Sequence, residues 1–302
     1  MIEYRDAVKR FGANVALDRL SVRIVRGEAV ALLGPNGSGK TTTLKMAAGL
    51  IKPDAGTVLV GEPPSCPWEP AARRVLSFLP QRVAFPDALT GREVVEFYRR
   101  LRGAPAERSK AVLRFASLNG ASERAVGTYS GGMVQRLGLA VAMLPDADLL
   151  LLDEPTAALD PDGLCAFYGL VERRQATGHT IFFTSHQVGD VERLADRFLV
   201  LSNGKLVAEL TQGELRDTLA QRGVMRVRLD RRPPGLVEAA RAIAPSATWA
   251  GGELIVPGPA SLRLRVLDLV RGAGAEVRGL VAEDGRLEAL YRELVSGARK
   301  NP

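Results

Sequence analysis

Cysteine and histidine are nearly missing, with two of each in 302 residues. Cys66 and Cys165 lie far apart, with no Cys-x-x-Cys spacing and no histidine cluster, so neither a disulfide framework nor a Cys/His metal site is offered. Long apolar runs are missing too. The longest, around residues 137–144, stops at Pro145-Asp146, well short of the ~18 residues that cross a bilayer. The opening residues, Met1 to Asp6, contain no signal-peptide core, and the reading is of a soluble cytosolic chain. Aromatic residues make up 5% of the chain, and none interleaves with a basic run. The net charge of +7 is therefore read first as arginine-rich composition, with attraction to nucleic acid or to anionic lipid as the functional alternative.

At 46% hydrophobic and 25% charged, the chain has enough to bury a core, in two domains or in one large domain with an appendage. Residues 34–41 read Gly-Pro-Asn-Gly-Ser-Gly-Lys-Thr, which fits Gly, four residues, Gly-Lys and then Ser or Thr. Ala29 to Leu33 is a short apolar run before it, and Thr42 to Leu50 has helical spacing after it. Strand, glycine loop and helix in that order make a phosphate-binding loop. Glycines let backbone N–H groups curl onto phosphate oxygens, and the helix start adds its partial positive charge. Gly34, Pro35, Asn36, Gly37, Ser38, Gly39 and Thr42 form this cradle, from which Lys40 reaches the outer phosphates and Thr41 offers a hydroxyl to Mg²⁺.

Residues 2–8, 20–25 and 56–60 read as strands, so the first lobe combines an antiparallel edge with the nucleotide-binding sheet. Residues 75–81 predict a buried strand ending in Gln81. Helical periodicity takes over across 87–145, with Val94, Val95, Phe97, Tyr98 and Leu101 on one helix and Val112, Leu113, Phe115, Ala116 and Leu118 on the next. Residues 128–136, Thr-Tyr-Ser-Gly-Gly-Met-Val-Gln-Arg, open a further helix. Four leucines at 149–152 run into Asp153-Glu154, and Thr180 to Thr184 runs into Ser185-His186, as central parallel strands do. In such sheets ligands sit beyond the carboxyl ends of the strands, where Gly34, Gln81, Asp153, Glu154 and His186 fall. Adjacent carboxylates at a strand end point to opposite sides, so Asp153 and Glu154 take different tasks.

On these motifs in this order, and above all on Ser130-Gly131-Gly132 at a helix start, the chain resembles the nucleotide-binding subunits of ATP-binding cassette (ABC) transporters from residue 1 to about 215. The resemblance implies an α/β fold: a phosphate-loop NTPase core with a mostly parallel sheet, an antiparallel β edge and a helical insertion at about 87–145. It implies ATP and Mg²⁺ as cofactors, with Thr41, Gln81 and Asp153 at the metal and Glu154 as base for the attacking water. His186 would contact the γ-phosphate, and Asp160 would lie in the turn that communicates across a dimer. Phe11 would stack on adenine, with filling of the first lobe's core as the alternative for Phe11 and Tyr4. His179 reads as solvated.

Ser130, Gly131 and Gly132 would meet the γ-phosphate held by the opposite subunit. The implied partners are therefore a second copy, or a paralogous ATPase, closing head to tail on two Mg-ATP, and separate integral membrane permease subunits. Docking on those would use the groove beside Gln81 and the helical insertion, with Phe85, Leu89 and Phe97 as candidates, on the cytoplasmic face of the inner membrane. Tyr129 and Met133 replace the family's usual Leu and Gln, but neither supplies a phosphate contact, so an active ATPase is expected.

The tail, about 222–297, reads as β-α-β-β-α-β, a small ferredoxin-like α+β module, followed by a helix with Leu287, Leu290, Tyr291, Leu294 and Val295 on one face. Such tails resemble those of export-type subunits, including drug-resistance exporters and, more weakly, the copper-processing ATPase of nitrous-oxide reductase maturation. Without Cys/His clusters this subunit would not itself bind copper. The alternative is a soluble ABC ATPase acting on ribosomes or nucleic acid, but neither a second cassette nor a long coiled-coil insertion is visible, and no nucleic-acid partner is expected.

Overall fold

A computed structural model describes residues 1–118, 120–185 and 192–300. Strands β1 (Ile2–Phe11) and β2 (Asn14–Ile24) form a hairpin, and β4 (Ala55–Val60) adds to the other edge of β1; all three are antiparallel. The first two strands run further than their alternation predicts. Register shifts between Tyr4 and Ala7 and near Lys9 absorb the residues that break the alternation, and Asp6 adopts φ 47° there.

The second sheet has the order β5-β6-β7-β3-β8-β9, built from β3 (Ala29–Leu33), β5 (Leu76–Leu79), β6 (Leu149–Leu152), β7 (Thr180–Thr184), β8 (Arg197–Ser202) and β9 (Lys205–Thr211). The pairs from β5 through β8 are parallel. Every residue of β3, β6 and β7 is buried, which is why these strands read as unbroken apolar runs. Helix α1 (Lys40–Ala47) contributes Leu44, Met46 and Ala47 to a core that also holds Ile2 and Tyr4 of β1, Leu149 and Leu151 of β6 and Phe182 of β7. Tyr4 is buried, and its hydroxyl donates to the Thr43 carbonyl at 2.8 Å, tying the antiparallel edge to α1. The strand expected at 75–81 is shorter. Val75 closes α2 (Pro70–Val75), and Pro80 lacks the N–H that would continue the ladder.

The helical segment comprises α3 (Gly91–Leu101), α4 (Ala106–Phe115) and α5 (Gly131–Ala142). Thr90 and Glu93 close a capping box on α3, and Ser130 caps α5. Helix α3 buries Val94 and Val95 but leaves Phe97 and Leu101 59% and 68% exposed, so part of its apolar stripe faces outward. Helix α6 (Pro161–Ala176) begins at an Asp160 cap.

These elements belong to a unit containing Met1–Glu209; a second compact unit spans Leu210–Gly297. There α7 (Gln212–Ala220) precedes β10 (Val224–Leu229), α8 (Leu236–Ile243), β11 (Thr248–Ala250), β12 (Glu253–Pro257), α9 (Arg263–Gly272) and β13 (Val277–Glu283). The all-antiparallel order β11-β12-β10-β13 is that of a ferredoxin-like sheet, with Val227 and Leu254 packed in one core with Val237, Ala240 and Val266. Helix α10 (Leu287–Lys300) follows, burying Leu287, Leu290 and Val295. Among the described residues no helix is long and apolar enough to cross a membrane.

Because Phe182 is fully buried on the central strand β7 and belongs to the core shared by both sheets, Phe182→Ala is expected to destabilise the larger unit by about 3–5 kcal/mol. Urea unfolding followed by circular dichroism checks this; a loss below about 1 kcal/mol would contradict the packing.

Candidate active site at the carboxyl ends of the parallel strands

Parallel pairing sends the ends of β3, β5, β6 and β7 to one edge of the sheet, and the loops leaving them meet there. A cavity of about 510 Å³ opens at this edge, within the range of small-molecule sites. Its lining comprises Phe11, Asn14 and Ala16 from the antiparallel edge, Asn36, Gly37, Gly39, Lys40, Thr41 and Thr42 from the glycine loop, and Gln81 and Glu154. Phe11 is half exposed and lies at the tip of the hairpin. It is not a core residue; that place is taken by Tyr4.

The loop has little room for side chains. Gly39 sits at φ 106° as the cap of α1, and a Cβ there would come within 2.4 Å of the Ala16 carbonyl oxygen. Lys40 folds back over the loop, its Nζ donating to the carbonyls of Gly34 at 2.8 Å and Pro35 at 3.2 Å. Burial pulls its pKa below the ordinary lysine value, against the nearby Glu154 and Asp153, which favour the charged form.

Asp153 is fully buried. Its Oδ1 accepts a 2.8 Å hydrogen bond from the Thr184 hydroxyl, while Oδ2 is buried with no hydrogen-bond partner. Burial pushes this carboxyl above the usual range, opposed by the Thr184 and Thr41 hydroxyls. An orphaned carboxylate oxygen and threonine hydroxyls are oxygen ligands that fit Mg²⁺, and the Lys40 ammonium near them fits the phosphates that accompany it. Glu154 leaves the strand at φ 51°, a left-handed conformation costly for a residue with a Cβ. Gln81 Nε2 donates to Glu154 Oε2 at 2.9 Å, and Glu154 N–H donates to Thr184 Oγ1 at 2.8 Å.

Ser130, Gly131 and Gly132 are not among the residues lining the cavity. Ser130 caps α5, its Oγ accepting from Met133 N–H at 3.3 Å, and Ser130 and Gly131 are exposed. Helix α5 is tied instead to the loop after β6. Gln135 Nε2 donates to the Pro155 carbonyl at 3.3 Å, and a Cβ on Gly132 would come within 2.8 Å of the Ala158 carbonyl oxygen. Asp160 Oδ1 accepts from Gly163 N–H at 3.0 Å, and its other oxygen lies 3.8 Å from Arg136. His186 lies outside the described residues. His179 is not simply solvated, since its ring contacts Arg174 and Thr177 at 2.8 and 2.9 Å. Sequence reasoning passed over Asn14, Gln135 and Thr184. For Thr184 the signal was a polar residue at the end of an apolar strand that runs beside the strand bearing the carboxylates.

Comparison with known proteins agrees with this geometry. The family model described as ABC transporter matches residues 17–157. A Nod factor export ATP-binding protein I of Burkholderia lata is 41% identical over 213 residues, covering 69% of this chain and 70% of that protein. A daunorubicin resistance ATP-binding protein of Streptomyces coeruleorubidus is 34% identical over 284 residues, 92% of this chain and 89% of that one. Among solved structures, the ATP-binding cassette MJ0796, a dimer in a post-hydrolysis state bound to ADP and Pi, matches with TM-score 0.65 and 26% identity over 70% of this chain and 99% of its own. With its phosphate loop, paired carboxylates and separate Ser-Gly-Gly helix start all in place, the chain belongs to the ATP-binding subunits of ABC transporters and is an ATPase of that family.

Proposed function

We propose that two copies of this chain close head to tail on two Mg-ATP, each cavity being completed by the other copy's Ser130-Gly131-Gly132. The observation that carries this reading is that one loop, one lysine and Glu154 line a single cavity, while the Ser-Gly-Gly helix start lies exposed and outside it. Phe11 stacks on adenine, and residues 34–42 cradle the phosphates with Lys40 leaving its loop carbonyls to meet them. Thr41, Asp153 and Gln81 would hold Mg²⁺, which would neutralise charge on the phosphate oxygens. Glu154 takes the proton of the attacking water, in the orientation that Gln81 and Thr184 give it. His186 contacts the γ-phosphate, and Asp160, held as the cap of α6, communicates across the dimer.

The work is export, driven through separate integral membrane subunits at the cytoplasmic face of the inner membrane. The daunorubicin resistance relative is similar along the tail as well as the cassette, which favours the drug-resistance branch. For docking, a groove of about 760 Å³ has an apolar wall of Leu50, Leu76, Phe78, Tyr98 and Leu101 with Arg73 and Arg102 beside it, and exposed Phe97 continues the apolar surface. That chemistry suits a short amphipathic helix carrying an acidic residue.

Two outcomes are expected. Glu154→Gln slows phosphate release by about 10²–10⁴ and leaves a nucleotide-bound dimer visible on a sizing column; undiminished release would remove Glu154 as the base. Leu101→Glu, at a side chain 68% exposed and so of little risk to folding, lowers the fraction of protein recovered with membranes severalfold. Unchanged recovery would place docking elsewhere.

A further inference from the structure

We infer that Thr184 is the residue that sets the two carboxylates to their separate tasks, a positioning residue shared by the metal-holding Asp153 and the water-activating Glu154. The inference rests on the roles proposed for those two residues and adds what holds them. The parallel register pairs Leu152 with Phe183, so the next residues, Asp153 and Thr184, leave their strands side by side. The Thr184 side chain is fully buried. A hydroxyl has one proton to give. Here Thr184 Oγ1 accepts from the Glu154 N–H at 2.8 Å, and the hydroxyl's one proton goes to Asp153 Oδ1 at 2.8 Å.

Each bond has a consequence. The first pins the peptide of Glu154, whose φ of 51° is otherwise unfavourable, and with it the direction of the carboxylate that Gln81 also touches. The second occupies Oδ1 of Asp153 and fixes the rotation of the carboxyl, leaving Oδ2 as the buried oxygen without a partner and hence the one offered to the metal. One hydroxyl thus ties the peptide of one acidic residue to the carboxyl of its neighbour, where a β-strand would only separate the two side chains by alternation.

Thr184→Val keeps the shape and removes the hydroxyl; Thr184→Ser keeps the hydroxyl. ATP binding is measured by equilibrium dialysis in the Glu154→Gln background, which prevents turnover, with EDTA and with Mg²⁺, and kcat and KM are measured on the single variants. The expected result for Thr184→Val is unchanged ATP affinity in EDTA, a loss of about tenfold or more of the gain in affinity that Mg²⁺ confers, and a fall in kcat of about 10- to 100-fold with KM little moved. Thr184→Ser is expected within about threefold of the unaltered chain on all three. The inference is overturned if Thr184→Val retains the Mg²⁺ gain and kcat, if it loses affinity equally in EDTA, or if Thr184→Ser is as impaired as Thr184→Val. Should the valine variant fail to fold, a Thr184→Ser chain that loses the Mg²⁺ gain or kcat by about tenfold or more still overturns the inference. If the Glu154→Gln chain with Thr184 intact shows no Mg²⁺ gain at all, the assignment of Asp153 to the metal falls, and this inference with it.

Discussion

Two carboxylates in succession leave the end of one buried strand, and holding them to different partners is the condition on which the site depends. Asp153 is wholly buried and Glu154 nearly so. Burial by itself favours the protonated form of Asp153. The surroundings answer in parts: Lys40 supplies nearby positive charge, Thr184 a hydroxyl and Gln81 an amide, while Asp153 Oδ2 stays buried without a hydrogen-bond partner. Parallel strand order is what makes this possible, because it delivers groups from four distant stretches of chain to the same edge.

Much of this was legible in the sequence, and the physical reason is locality. The phosphate loop is eight consecutive residues whose glycines, lysine and threonine act together, so its reading needs no tertiary knowledge. Leu149–Leu152 and Thr180–Thr184 are buried from both sides, which leaves an unbroken apolar signature. Thr184 was hidden because its partners are 30 and 31 residues away in sequence, and only the register between β6 and β7 brings them together. The turned backbone of Glu154 has no signature at all, since glutamate rarely adopts it. Gln135 was passed over for a similar reason: within a helix its spacing is that of a solvent-facing polar residue, and only the approach of Pro155 shows it buried.

The Ser-Gly-Gly helix start explains why such a chain works with another. A helix N-terminus with exposed N–H groups is suited to an anion, and this one stands outside the cavity of its own chain. The same helix is bonded through Gln135 to the loop that follows Glu154, which joins the helix start to the carboxylate-bearing end of β6. The exposed apolar side of α3, near the groove of Leu50 and Phe78, is a third surface, apart from the residues that line the cavity and from the Ser-Gly-Gly helix start.

In the dimer proposed above, each complete site takes its phosphate loop from one copy and its helix start from the other. Complementation measures this directly. Lys40→Ala and Ser130→Arg are each expected to be inactive alone, because every site in either homodimer is broken. Mixed together, they form dimers in which intact Lys40 of one chain meets intact Ser130 of the other, and ATP hydrolysis is expected to return. A mixture that stays as inactive as its two components would contradict the shared site.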